Sequence, residues 1–356
     1  MSTTEPVQKK FKHEPFYDTS QLKVMPFKKA AIPPLGMGAG GRVEIYTDTD
    51  KNRNVAVKKI YNPDKKLVEL EIECMKLMNE CGNSVRLLGV MTDKETRRHV
   101  YLIMELCVMS LDKYWAPNGV VGSIYTDAKA KQLCLQMLRG MAYLHKQGWM
   151  HRDMKPQNVL IQQDGSLKIG DYGLSCKRDT VNASAMYINP VCTLMFRPPE
   201  IMMQSKMYPT LQYDEQLDVW STTLVVLWIF LRGTCYYLPY PANVDATTEH
   251  QQAGNEAMRE IIWSICGTPH ESQESEWPLH LQNYVGRCGK GSGSSLSKVR
   301  EHWPNGVTFP PTPGLQELLH EMLQINPLKR PSIQYMIDHA FFKNSSNSMY
   351  PRPSLK

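Results

Sequence analysis

No two of the nine cysteines (Cys74, Cys81, Cys107, Cys134, Cys176, Cys192, Cys235, Cys266 and Cys288) stand in C-x-x-C spacing. That argues against a zinc site, a dithiol redox pair or a disulfide framework, and placement mostly inside apolar runs suits reduced thiols. Long hydrophobic runs are also missing. The most apolar stretch, Leu224 to Leu231, is eight residues, against the roughly twenty that a membrane helix needs. The opening MSTTEPVQKKFKHEP has no apolar segment of the kind a secretory signal requires. Secretion and membrane insertion are therefore not expected. Charge of one sign is scarce: 41 basic against 35 acidic residues leave a net +6, too little to point to nucleic acid without a clustered patch. There is no internal repeat. The glycine-serine run 286–297 is not a phosphate-binding P-loop, because Tyr284 stands five residues before Gly289 and Gly291 follows Lys290.

What is present is enough apolar sequence, 42% of 356 residues, for two lobes with ordinary cores. Residues 1–30 are polar and aperiodic and read as a flexible tail, with a short basic cluster at Lys9, Lys10 and Lys12 that could address the nucleus. From 31 to 104 the pattern is strand-like, around Val43 to Tyr46, Val55 to Val57 and Val100 to Met104, with one helix-like segment from Leu67 to Met78. After Leu106 it turns helical, beginning at Ala128 to Gln147, where Leu133, Met137, Met141 and Leu144 recur at intervals of three and four. Two stretches interrupt it, 174–197 and 286–297, and 344–356 reads as a second flexible tail.

Three segments carry chemistry. Gly36-Met37-Gly38-Ala39-Gly40-Gly41-Arg42-Val43 is a glycine turn between strands, where bare backbone N–H groups can approach phosphate oxygens. Alone it is an ordinary structural device. About one hairpin later, Val55-Ala56-Val57-Lys58 sets a cation on a strand. The third and strongest is His151-Arg152-Asp153-Met154-Lys155-Pro156-Gln157-Asn158, followed thirteen residues after Asn158 by Asp171-Tyr172-Gly173. Phosphoryl transfer asks for a carboxylate at the attacking hydroxyl, oxygen ligands for magnesium, and cations on phosphate. A single Asp in a loop is ordinarily a turn or a cap. The joint set in this order is not.

These motifs resemble those of the eukaryotic protein kinases over about residues 31–343. The resemblance implies an α+β, bilobal fold: a small β-rich N-lobe (31–104) with one regulatory helix, a hinge (105–107), and a larger, mainly α-helical C-lobe (108–343) with an insert at about 243–309. It implies ATP and Mg2+ as cofactors. Asp153 would orient and deprotonate the substrate hydroxyl, Lys155 would neutralise the γ-phosphoryl group, and Asn158 and Asp171 would hold magnesium. Lys58 would bridge the α- and β-phosphates and pair with a helix glutamate; Glu71 fits best, between Glu69 and Glu73. Nucleotide contacts would come from Gly36 to Gly41, with Val43, Ala56 and Leu160 as apolar walls and the backbone of Met104, Glu105 and Cys107 at adenine. Glu200 is expected to pair with Arg330, and Met75, Leu87, His151 and Tyr172 to form an apolar column.

Cys192-Thr193-Leu194-Met195-Phe196-Arg197-Pro198-Pro199-Glu200, with Gly267-Thr268-Pro269 and Trp277-Pro278, resembles the group of cyclin-dependent and mitogen-activated kinases, and the former more closely. Arg197 is the residue that this group uses to favour proline after the phosphorylated Ser or Thr. Protein substrates, a cyclin-like activator, and nuclear or cytoplasmic residence follow as expectations; nucleic acid and membrane do not. The activation segment departs from the group. Ile188 stands where the activating threonine would be, and of three phosphate-clasping arginines only Arg152 remains, with Leu70 and Cys176 at the other positions. Ala39 and Gly40 replace the residues that carry inhibitory phosphates. Neither switch is expected to operate, with Thr180, Ser184 and Tyr187 as remaining acceptors. The alternative is a catalytically weak or inactive kinase-fold scaffold.

Overall fold

A computed structural model describes residues 27–29, 35–38, 41–61, 63–92, 99–115, 126–178, 191–203, 213–233, part of 255–285, and 312–343. The chain divides into two units, Met1–Cys107 and Val108–Lys356. The first is built on β1 (Phe27–Lys29), β2 (Gly36–Gly38), β3 (Gly41–Asp48), β4 (Arg53–Tyr61), α1 (Lys65–Met78), β5 (Leu87–Thr92) and β6 (His99–Glu105). The strands form one antiparallel sheet in the order β1-β3-β4-β6-β5, with β2 also paired to β3. Val55, Val57, Leu88, Met91 and Ile103 cluster as a buried core of this unit.

One expectation is corrected here. Phe27–Lys29 lies inside the segment read as tail, yet pairs with Asp48, Thr47 and Tyr46. A three-residue edge strand needs only backbone partners, so its lysines and lack of alternation leave no hydrophobic signature. The glycine turn has a firmer local cause. Gly41 has φ +120°, and a Cβ there would lie 2.3 Å from the Lys59 carbonyl oxygen, so a side chain cannot be fitted without moving β4. Ala39 and Gly40 lie outside the described residues.

The start of α1 is set by Asp64, whose carboxylate accepts the N–H groups of Lys66 (2.8 Å) and Leu67 (3.1 Å). Its buried face is Val68, Glu71, Cys74, Met75 and Met78, recurring at helical spacing, so one glutamate is turned inward with the apolar residues. β4 ends at Tyr61 and α1 begins at Lys65. Lys58 and Glu71, thirteen residues apart, are thus linked through a brief, capped connection.

The second unit is mainly helical. It carries the helices α2 (Leu111–Trp115), α3 (Asp127–Lys146), α4 (Pro199–Met202) and α5 (Gln216–Phe230) and the short strands β7 (Met109–Ser110), before α2, and β8 (Trp149–Met150), β9 (Val159–Ile161), β10 (Leu167–Ile169) and β11 (Cys176–Lys177), between α3 and α4. These pair as β10-β9-β7 and β11-β8. α5 is apolar on all sides and buried along its length, as a central helix must be. Thr223 is accommodated in this buried helix with its hydroxyl donating to the Val219 carbonyl at 2.7 Å.

Candidate active site

In the first unit the two groups of interest are 2.7 Å apart: Lys58 Nζ on β4 and Glu71 Oε1 on α1, with side chains only 7% and 6% exposed. The neighbouring acids are placed otherwise. Glu69 is exposed and lies 3.9 Å from Lys65, and Glu73 is exposed. Burial makes the Lys58–Glu71 geometry costly to break, since removing either charge strands the other. In register, Lys58 stands opposite Val43 on β3 and Leu102 on β6, while Ala56 faces Ile45 and Met104. Glu105 uses its side chain within this unit: Oε1 accepts the Arg86 N–H at 2.7 Å. Gly36–Gly38 pair with Val43, Arg42 and Gly41. Cys107 is buried at the end of this unit, and Leu160 belongs to the other, on β9.

The second unit gathers the remaining groups in the loop between β8 and β9. Fully buried Asp218, on α5, accepts the backbone N–H groups of His151 (2.7 Å) and Arg152 (2.8 Å) and lies 3.0 Å from His145 Nε2. Burial opposes its charge, yet the His145 hydrogen bond and the His151 N–H hold the carboxyl below its ordinary value. Those contacts clamp a sharp bend, with Arg152 at φ +66°. His151 Nδ1 accepts the Asp153 N–H at 3.3 Å while Nε2 faces the Gly170 carbonyl at 3.1 Å, which assigns the Nε2–H tautomer.

Asp153 is thereby presented with both oxygens engaged. Oδ1 accepts the Thr193 N–H (3.0 Å) and hydroxyl (2.7 Å). Oδ2 faces Lys155 Nζ at 2.7 Å and Asn158 Nδ2 at 3.1 Å. Lys155 Nζ is also 2.9 Å from Thr193 Oγ1, so that hydroxyl donates to Asp153 and accepts from Lys155. Asn158 Nδ2 further donates to the Asp153 carbonyl at 2.7 Å, which turns the amide oxygen to the other side. The thirteen residues to Asp171 are spent on the β9–β10 hairpin: Gly170 N–H donates to the Asn158 carbonyl at 2.8 Å, and Val159 pairs with Ile169. This hairpin brings the two oxygen-bearing side chains to one end of the sheet, with Asp171 exposed at φ +58°. Two hard oxygen donors suit magnesium, which is commonly bound by one or two side chains with phosphate and water completing its octahedron. Among the described residues no group of three or more His, Cys, Asp or Glu could hold a metal alone.

Arg152, 4% exposed, donates Nε to the Leu174 carbonyl and Nη1 to the Tyr213 hydroxyl at 2.9 Å. Burial, partly offset by the charge and hydrogen bond of Arg152, pushes Tyr213 up to about 12. Because tyrosine ordinarily titrates near 10, the unfolded chain loses this proton first as pH rises. The stability Tyr213 contributes is full below about pH 10 and is lost through about 12. Urea midpoints should fall over that range in the native chain and fall less in Tyr213→Phe; identical profiles would refute the assignment.

The turn after the activation segment has its own geometry. Cys192 has φ +67°, and its carbonyl accepts Arg197 Nε (3.2 Å) and Nη2 (2.8 Å), with Nε also 3.1 Å from the Val191 carbonyl. Glu200 and Arg330 pair at 2.7 and 2.6 Å, fully buried, as the kinase resemblance implied. His151 and Tyr172 rings lie 5.3 Å apart, and Met75 and Leu87 are buried in the first unit. Thr193, Asp218, His145 and Tyr213 were not named from sequence as site residues; Thr193 stood inside the segment that ends at Glu200, and Asp218 in Asp218-Val219-Trp220-Ser221, which resembles the start of the central helix of the kinase C-lobe. Ile188, Thr180, Ser184, Tyr187, Lys9 to Lys12, the run 286–297 and the tail 344–356 lie outside the described residues.

The protein kinase domain model matches residues 30–342. Among curated proteins the chain is 29% identical over 338 residues to the CTD kinase subunit alpha of Schizosaccharomyces pombe, covering 91% of this chain and 50% of that one. It is 28% identical over 327 residues to the stress-activated protein kinase JNK of Drosophila melanogaster, covering 87% and 79%. Against cyclin-dependent kinase 12 of Caenorhabditis elegans it is 27% identical over 333 residues, covering 88% and 40%. The chain thus spans half or less of the length of two of these three relatives. It belongs to the protein kinase family, as a cyclin-dependent-kinase-like member of the Ser/Thr group.

Proposed function

We propose that the chain is an active kinase that transfers the γ-phosphoryl group of ATP to a Ser or Thr hydroxyl followed by proline. The observation that carries this reading is the Asp153 carboxylate held by Lys155, Asn158 and Thr193. Asp153 accepts the hydroxyl proton, Lys155 offsets charge on the transferring group, and Lys58, steadied by Glu71, holds the α- and β-phosphates. Asn158 and Asp171 would hold magnesium, which would supply neutralising charge at the phosphate oxygens. Within the first unit, the backbone of Gly36–Gly38 and Gly41 would contact phosphates, with Val43 and Ala56 beside adenine and the backbone of Met104, Glu105 and Cys107 at its edge.

Proline selection has a physical argument. With both Arg197 N–H groups on the Cys192 carbonyl, that oxygen cannot accept the N–H of the residue after the phosphorylated one. Proline has no N–H to leave unsatisfied, whereas any other residue incurs a cost of about 1–3 kcal/mol. The contacts of Arg152 with Leu174 and Tyr213 support an activation segment anchored without phosphate. A cyclin-like activator and nuclear or cytoplasmic residence rest on the resemblance to cyclin-dependent kinases; among the described residues no helix is long and apolar enough to cross a membrane. The test is incubation of the phosphatase-treated chain, alone and with cyclin-box proteins, with γ-labelled ATP, magnesium and a Ser-Pro peptide. Label on serine is expected. Nucleotide binding without transfer under every condition would favour the scaffold instead.

A further inference from the structure

Arg197 is 7% exposed, and burial disfavours its charge. The acceptors on its planar fork are neutral oxygens: those of Val191 and Cys192 on Nε and Nη2, and Asn255 Oδ1, 2.6 Å from Nη1. Asn255 lies 58 residues away, at a helical position within the segment read as the insert. We propose that Asn255 is a positioning residue for substrate choice, holding Arg197 so that its other two nitrogens occupy the Cys192 carbonyl. A rigid guanidinium gripped at opposite corners cannot turn about its Cδ–Nε bond. Released at Nη1, it can turn and give up the Nη2 contact. The Cys192 oxygen then becomes able to accept an incoming N–H, and the penalty against residues other than proline shrinks. This rests on the proline-selection reading above.

The experiment uses the full chain and two peptides that differ only in Pro or Ala after the serine. The ratio of kcat/KM values is read beside the ratio of affinities, measured by fluorescence anisotropy, so that turnover is not the only readout. The native chain should favour Pro by about tenfold or more, the equivalent of one unsatisfied N–H. Asn255→Ala should lower that ratio by about threefold or more, chiefly by improving the Ala peptide, a pattern that general destabilisation does not produce. Asn255→Asp keeps an acceptor and should keep the ratio. If Asn255→Ala does not fold, Asn255→Leu, of similar volume and without an acceptor, gives the same reading. A native preference that survives in Asn255→Ala or Asn255→Leu overturns the role of Asn255 alone. A native ratio near one overturns proline selection, and the role of Asn255 with it.

Discussion

Arg330→Ala should destabilise the chain by about 3–5 kcal/mol, the range for breaking a buried ion pair from one side. Glu200 would be left as a carboxylate in a site where both side chains are 3% exposed or less. Arg330 also serves the carbonyls of Gln324 (2.6 Å), Gln216 (3.0 Å) and Ile325 (3.1 Å), and its guanidinium lies 5.0 Å from the Trp220 ring. One side chain therefore ties α4 to α5 and to the segment before residue 330. At roughly 2–4 °C per kcal/mol for a unit of this size, the melting temperature should drop by about 6–20 °C. Replacing both partners, as Glu200→Leu with Arg330→Met, should recover part of the loss, because no lone charge remains. Recovery should be incomplete, since three carbonyls lose their donor. A single variant that melts within about 2 °C of the native chain would contradict this account.

What could be read from sequence was what lies close along the chain. The loop 151–158 is one contiguous turn, so the spacing of Asp153, Lys155 and Asn158 already encodes their convergence. The hairpin that carries Asp171 back to Asn158 is similarly local. Glu71 was named through the resemblance of Glu71-Ile72 to the kinase pattern, and the structure places it on the buried face of α1 with Val68, Cys74, Met75 and Met78. The remainder depends on pairs that only the fold brings together. Asp218 is 67 residues from His151, Tyr213 is 61 from Arg152, and Asn255 is 58 from Arg197. No periodicity relates such positions, and Asp218, in the first turn of α5, was read only as part of the motif that opens this helix until its partners were seen. Arg330 was named only through family resemblance, at a separation of 130 residues from Glu200. β1 was missed for the opposite reason: a short edge strand has almost no side-chain pattern to display.

Asp153→Asn should leave the fold and nucleotide binding in place while removing most of the turnover. The carboxylate makes no buried ion pair of the Glu200 kind; Asp153 and Lys155 side chains are 13% and 23% exposed. An amide keeps one acceptor toward Thr193, so little packing is lost, but it cannot take a proton. A positioned general base contributes about 10²–10⁴ in rate, and kcat should fall by that factor. The measurement is the rate of γ-phosphoryl transfer to a Ser-Pro peptide by native and Asp153→Asn chains, with ATP affinity and melting temperature taken on the same samples. Transfer by the native chain, with a loss of about a hundredfold or more in the variant at unchanged ATP affinity, is the predicted result. Equal rates in the two chains, or ATP bound by the native chain and never transferred, would contradict the assignment of Asp153 as the group that activates the substrate hydroxyl.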